Sequence, residues 1–158
     1  MVYLVTGRIH SGKTTKMIDL YHRHSAGDGF VALKTLSGDQ VEKYDAMRLK
    51  TQEVWPLAVH EKRIQPDFPV AFRIGPYHFR LDTVEKISAM MREMIHLRIQ
   101  PLFLDELGEL ELSGSGYADV VTEMVASGLD LYLSVRDDLA MRIIARFGIG
   151  EHQILSVN

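Results

Sequence analysis

Gly7-Arg8-Ile9-His10-Ser11-Gly12-Lys13-Thr14 fits the pattern GxxxxGK[ST], and what flanks it decides the fold. Upstream, Val2 to Val5 is a continuous apolar run ending in Thr6-Gly7, which reads as a strand buried on both faces and running straight into a turn. Downstream, Met17, Ile18 and Tyr21 recur at helical spacing, with Lys16, Asp19, His22 and Arg23 between them as a solvent face. A loop of this pattern between a strand and a helix is the context in which it cradles phosphate.

Each position in the loop has its own physical reason. Gly7 and Gly12 let the backbone turn its amides inward without interference from a Cβ, so successive N–H groups and the following helix start surround a polyphosphate. Lys13 puts a point charge on the β and γ phosphates, and Thr14 offers a hydroxyl to Mg²⁺. Thr15 adds a hydroxyl for the α phosphate, and Arg8, Ile9, His10 and Ser11 complete the wrapping segment.

A second cluster stands far along the chain. Pro101-Leu102-Phe103-Leu104 reads as a buried strand, and Asp105-Glu106 follows at its carboxyl end, where packing does not explain two adjacent carboxylates. Beside a phosphate loop, Asp105 is the residue to hold Mg²⁺ and Glu106 the general base that polarises a water. Without the loop, a cap or a solvated strand end would serve as well. Arg136 ends another apolar strand, where a guanidinium would meet charge developing on the γ phosphate; a surface ion pair with Asp137 or Asp138 is the competing reading.

Between these landmarks the pattern alternates strand and helix. Phe30 to Leu33 reads as a strand, the stretch from 82 to 95 as a helix opened by an Asp82/Glu85 capping box, and Tyr117 to Val125 as a helix stopped by Gly128. Leu129 to Val135 reads as a strand, Leu139 to Phe147 as a helix opened by Asp137 and Asp138, and Ile154 to Val157 as a last strand. Residues 36 to 81 are harder to read. Glu53 to Val59 and Val70 to Ile74 look like strands of a small antiparallel insertion, and Pro56 demotes the first to an edge or a bulge. The expected fold is therefore α/β: one domain over 1–158, three layers, a mainly parallel sheet covered by helices on both faces.

Composition narrows the class further. With 46% hydrophobic and 25% charged residues the chain is of ordinary globular type. It has no cysteine, which excludes disulfides and thiolate metal sites and fits a reducing compartment. A net charge of −3 and a pI near 6.1 argue against a nucleic-acid coat or a membrane-surface protein. Neither a basic leader nor a run of about 20 apolar residues is present, so a cytoplasmic location is expected. The seven histidines form no metal-binding spacing.

Taken together, Thr6-Gly7-Arg8 with Gly12-Lys13-Thr14-Thr15, the stretch Leu104-Asp105-Glu106-Leu107-Gly108-Glu109-Leu110-Glu111, and Val135-Arg136-Asp137 resemble the small P-loop nucleoside-triphosphatases first named from thermophiles. Gly75-Pro76-Tyr77 is similar to that family's Gly-x-Tyr segment before the central helix. The resemblance implies a RecA-like, additional-strand P-loop fold and Mg²⁺-dependent hydrolysis of ATP, GTP and other triphosphates, slow and tolerant of the base. Ile9-His10 departs from the Pro-Gly usual in that loop, the segment from Leu36 to Lys50 lacks the acidic pattern usual after the second strand, and the tail carries no further helix.

Three other readings compete. Asp105-x-x-Gly108 satisfies the DxxG of small GTPases, but no [NT]KxD guanine-selecting segment exists in the chain. A nucleotide or nucleoside kinase would use residues 36 to 81 to hold an acceptor, although no arginine-rich lid is evident. A nucleotide-dependent switch would act through a protein partner that the sequence does not identify.

Overall fold

The computed structural model describes residues 1–157, without the side chains of Val70 and Ala71. The strands are β1 (Val2–Gly7), β2 (Asp28–Ser37), β3 (Gln40–Arg48), β4 (Val54–His60), β5 (Val70–Ile74), β6 (Tyr77–Arg80), β7 (Leu102–Leu107), β8 (Leu131–Arg136) and β9 (His152–Val157). The helices are α1 (Lys13–His22), α2 (Leu81–His96), α3 (Glu109–Leu112), α4 (Ala118–Ala126) and α5 (Ala140–Phe147).

All nine strands join one sheet in the order β5-β6-β4-β3-β2-β7-β8-β1-β9. From β2 to β9 every neighbouring pair is parallel, and β8 lies between β1 and β7. The expected parallel sheet and its additional strand are both present. Alternation along these strands supplies two faces. Leu4, Leu104, Leu131 and Leu133 pack with Ile87, Met91, Val121, Met124 and Ile143 from α2, α4 and α5, while Val5, Phe103 and Tyr132 turn to Met17 and Leu20 of α1. One helix covers its face with the help of a stack in which Phe103 lies 4.9 Å from Tyr132 and Tyr132 lies 4.6 Å from Tyr3. The result is three layers.

The antiparallel part falls within the expected residues 36 to 81 but has four strands where two were read. β3, β4, β6 and β5 extend the same sheet beyond β2 as a four-stranded wing. Pro56 does not put its strand at an edge, because β4 is bonded to β3 and β6; it sits where the register slips between Tyr44 and Asp45, so the bulge is the outcome. The predicted capping box is also corrected. α2 begins at Leu81, so the N-cap is Arg80, whose guanidinium has no acceptor to offer, and Asp82 lies in the first turn, where its carboxylate accepts from Arg80 at 2.9 and 2.6 Å and from Thr83 N at 2.9 Å.

The junction of parallel and antiparallel parts is fixed at Asp28 and Gly29. Asp28 is fully buried and accepts two hydrogen bonds from Arg48, at 2.9 and 2.6 Å, which ties β2 to the end of β3. Gly29 has φ +147, and a Cβ there would lie 2.6 Å from Phe103 N and closer still to its carbonyl oxygen. Gly29→Ala combines that backbone strain with an overpacked contact, so we expect a loss of about 3 kcal/mol, read as a lower urea midpoint at unchanged slope. Among the described residues no helix is long and apolar enough to cross a membrane.

Candidate active site

The phosphate loop leaves β1 at Gly7 and enters α1 at Lys13. Gly12 is the helix N-cap with φ +93, a left-handed conformation that favours glycine. His10 has φ +59, so the position where the resembling family usually carries glycine keeps a glycine-like backbone here. Ser11 N donates to Arg8 O at 3.1 Å and Lys16 N to Gly12 O at 3.0 Å, which closes the loop onto the helix. Arg8, Ile9 and His10 are exposed at the rim, and Thr15 is exposed on the first turn.

Lys13 is buried, and its ammonium donates to Arg8 O at 2.8 Å, spanning the loop from inside. Burial lowers its pKa, with the neighbouring cation Lys34 acting the same way and Glu106 and Asp105 opposing. A group held so has an unmet demand for anionic partners. The Ser11 hydroxyl is buried without a hydrogen-bond partner among the described residues, a second polar atom of the loop that a ligand oxygen would satisfy.

Asp105 and Glu106 come to this loop from β7. Asp105 is buried, and its Oδ2 accepts from Thr14 Oγ1 at 2.6 Å and from Ala32 N at 3.0 Å, while its Oδ1 accepts a very short bond from the Ser134 hydroxyl. Residues of α1, β2 and β8 thus orient one carboxylate. The same Ser134 oxygen accepts from Glu106 N at 2.8 Å. Glu106 has φ +62, a conformation uncommon for a residue with a Cβ, and there the register between β7 and β8 slips. Its side chain is one-third exposed and stands 3.7 Å from the ammonium of Lys34, which also lies 3.3 Å from His10 Nδ1. Burial raises the Glu106 pKa and Asp105 adds to the rise, against the pull of Lys34 and Lys13. Such a carboxyl is a stronger base than an ordinary one.

Arg136 closes β8 with its backbone in register with Gly7. Its guanidinium is engaged by Asp138, at 2.9 and 2.8 Å, which is the surface ion pair of the competing reading. It nonetheless lines the same cavity as Glu106.

Two residues of the site were missed from the sequence. Lys34 continues the strand predicted over 30–33, and a charged residue at the end of a buried apolar run was the same signal that singled out Asp105. Ser134 is the one small aliphatic hydroxyl in Leu131-Tyr132-Leu133-Ser134-Val135, fully buried, and such a residue in a doubly covered strand was the available sign.

Two cavities flank this centre. One, of about 510 Å³, runs from Thr14 and Thr15 past Lys34 to Leu36 and Asp39 at the β2–β3 turn. The other, of about 300 Å³, lies on the Glu106 side under the antiparallel wing. Both sizes suit small-molecule sites. Among the described residues no three of His, Cys, Asp or Glu converge as a metal cluster. The donors at hand, one carboxylate and one hydroxyl 2.6 Å apart, suit Mg²⁺, which is commonly held by one or two carboxylates together with substrate phosphates and water.

A family profile described as NTPase matches residues 2–158. Nucleoside-triphosphatase THEP1 of Thermotoga maritima is 26% identical over 136 residues, covering 86% of this chain and 74% of the relative. That of Thermotoga petrophila is 26% identical over 152 residues, covering 94% and 81%. The crystal structure of THEP1 from Aquifex aeolicus superposes with a TM-score of 0.75 at 15% identity, over 100% of this chain and 90% of the other. The solution structure of a human cancer-related nucleoside triphosphatase gives a TM-score of 0.65 at 18% identity, over 99% and 88%.

Proposed function

This chain belongs to the NTPase family, and on that premise we propose that its cleft hydrolyses nucleoside triphosphates to diphosphate and phosphate. The observation that carries the reading is the 2.6 Å contact between Thr14 and Asp105, which joins the phosphate loop to the acidic strand end and leaves Glu106 beside them. The loop amides of residues 7–15 and the Lys13 ammonium grip the phosphates, replacing the internal Lys13 to Arg8 bond by a charge-assisted one. Thr14 and Asp105 would hold Mg²⁺, which when bound neutralises charge on the β and γ phosphates.

Glu106 takes the proton of the attacking water. Its raised basicity and its partial exposure at a cavity wall support that role, and the Lys34 ammonium steadies the carboxylate until substrate arrives. Lys34 then stands where γ-phosphate charge develops. Arg136 exchanges Asp138 for that same charge, a change that needs only rotation of an exposed side chain. We place this chemistry in the cytoplasm, a compartment supplied with nucleoside triphosphates.

Arg136→Ala tests the last assignment. Because the guanidinium meets charge that grows only in the transition state, we expect kcat to fall about tenfold or more while triphosphate affinity stays within about twofold. Steady-state phosphate release beside a direct binding titration reads both; an equal loss of affinity and kcat would make Arg136 a simple binding group. The reading as a whole is tested by phosphate release from ATP and GTP with and without Mg²⁺. Release that is the same with a chelator present would remove Thr14 and Asp105 from their proposed role.

A further inference from the structure

Hydrolysis of a triphosphate needs little more than a water beside Glu106, yet the chain builds a cavity of about 300 Å³ there. Its walls are apolar and aromatic: Tyr44, Leu57, Ile74, Tyr77 and Phe79 from the antiparallel wing face Leu110 of α3. Tyr44 meets Tyr77 edge to face with centroids 5.4 Å apart. Lys34 and Ala32 line both this cavity and the one along the phosphate loop, so the two adjoin beside Glu106. An occupant of the apolar cavity would therefore present its end to the γ phosphate, on the side from which water otherwise attacks.

The charges select the occupant. Four carboxylates line the cavity, Asp105, Glu106, Glu109 and Glu111, against two cations, Lys34 and Arg136. That balance repels a second phosphate-bearing molecule. The carboxylates are themselves engaged, since Glu111 accepts from Gly108 N at 2.8 Å and Tyr117 N at 3.0 Å, Glu109 pairs with Arg142, and Glu106 with Lys34. The fourth, Asp105, is the one assigned with Thr14 to Mg²⁺, so no carboxylate of the cavity is left over for a cationic acceptor. Burial pushes the Tyr44 hydroxyl up to about 12, so it stays a neutral hydrogen-bond donor within the field of Glu106.

We propose that this cavity binds an uncharged aromatic alcohol, a nucleoside or smaller, and that the chain transfers the γ-phosphoryl group to its hydroxyl. The inference rests on the triphosphatase reading of the same centre. The acceptor oxygen bonds to the γ phosphorus as the bond between that phosphorus and the β–γ bridging oxygen breaks. The bonding electrons leave with the nucleoside diphosphate, the hydroxyl proton passes to the Glu106 carboxylate, and the products are a phosphate monoester and the diphosphate with no change of oxidation state. Water and alcohol compete for one base.

The test uses γ-labelled ATP and GTP with Mg²⁺ and four probes: benzyl alcohol, thymidine, adenosine and, as the anionic comparison, thymidine monophosphate. Labelled monoester from at least one uncharged probe, and none from the monophosphate, is the expected result. Leu110→Trp should fill the cavity and lower transfer about tenfold or more while phosphate release to water stays within about twofold. Ile74→Trp, on a side chain already one-third exposed at the rim, provides the same test should the first variant not fold. Undiminished phosphate release with no labelled probe overturns the acceptor and leaves hydrolysis standing. Transfer to the monophosphate alone overturns the assignment of an uncharged acceptor. Absence of both products overturns the triphosphatase reading and the acceptor with it.

Discussion

Glu106→Gln is expected to lower turnover by about 10²- to 10⁴-fold with triphosphate affinity equal to or above that of the parent. The amide keeps the size of the side chain but cannot take up a proton at neutral pH. The phosphate contacts through Lys13 and the loop lie on other elements, and Asp105, although next to Glu106 on β7, keeps its bonds from Thr14, Ala32 and Ser134. Removing the negative charge also frees Lys34, which stands 3.7 Å away, for the γ phosphate, so binding should tighten rather than weaken. The backbone is not the difference, since Glu106 N keeps its bond to Ser134 and φ +62 strains glutamine as it does glutamate. A titration of thermal stability against nucleotide separates the two quantities: the variant should rise at least as far as the parent at each concentration. Turnover at the parental rate would remove Glu106 as the base.

Lys13→Ala should lose both. The ammonium sits inside the loop with its pKa lowered mainly by burial, a cost that bound phosphates would offset. A charge-assisted hydrogen bond contributes about 1.5–3 kcal/mol, so affinity should fall about 10- to 100-fold. Turnover should fall by a further 10²-fold or so, because the same charge stabilises oxygens that gain negative charge during transfer. Without nucleotide, the variant should unfold close to the parent, since only the internal bond to Arg8 O is lost. Calorimetric titration with Mg²⁺-ATP and Mg²⁺-GTP reads the affinity; an unchanged value would mean that the phosphates bind elsewhere.

The phosphate loop and the acidic strand end were legible in the sequence because each combines a rigid local pattern with a short neighbouring apolar run. Gly7, Gly12 and Lys13 have one backbone solution between a strand and a helix, and Asp105-Glu106 breaks a buried strand at its end. β1, β7 and β8 of the parallel sheet were legible for the same reason, since strands buried on both faces need no pairing information to be recognised. The wing was not. β3 carries Glu42, Lys43, Asp45 and Arg48 among its apolar residues and is half-exposed, so Gln40–Arg48 shows no clean period, and β6 has only four residues. Lys34 and Ser134 acquire meaning only through the strand order, which sets β2 and β8 on either side of β7. The capping box failed because the helix starts before Asp82: Arg80 is the N-cap, and Asp82 stands in the first turn.

Single-turnover phosphate release tests the central claim most directly. With enzyme in excess over labelled ATP or GTP and Mg²⁺ present, the unaltered chain should convert the bound triphosphate to equal amounts of diphosphate and phosphate. Glu106→Gln should hold the triphosphate intact on the protein over the same interval. Conversion by both proteins at one rate, or release by neither while both bind the nucleotide, would contradict the account.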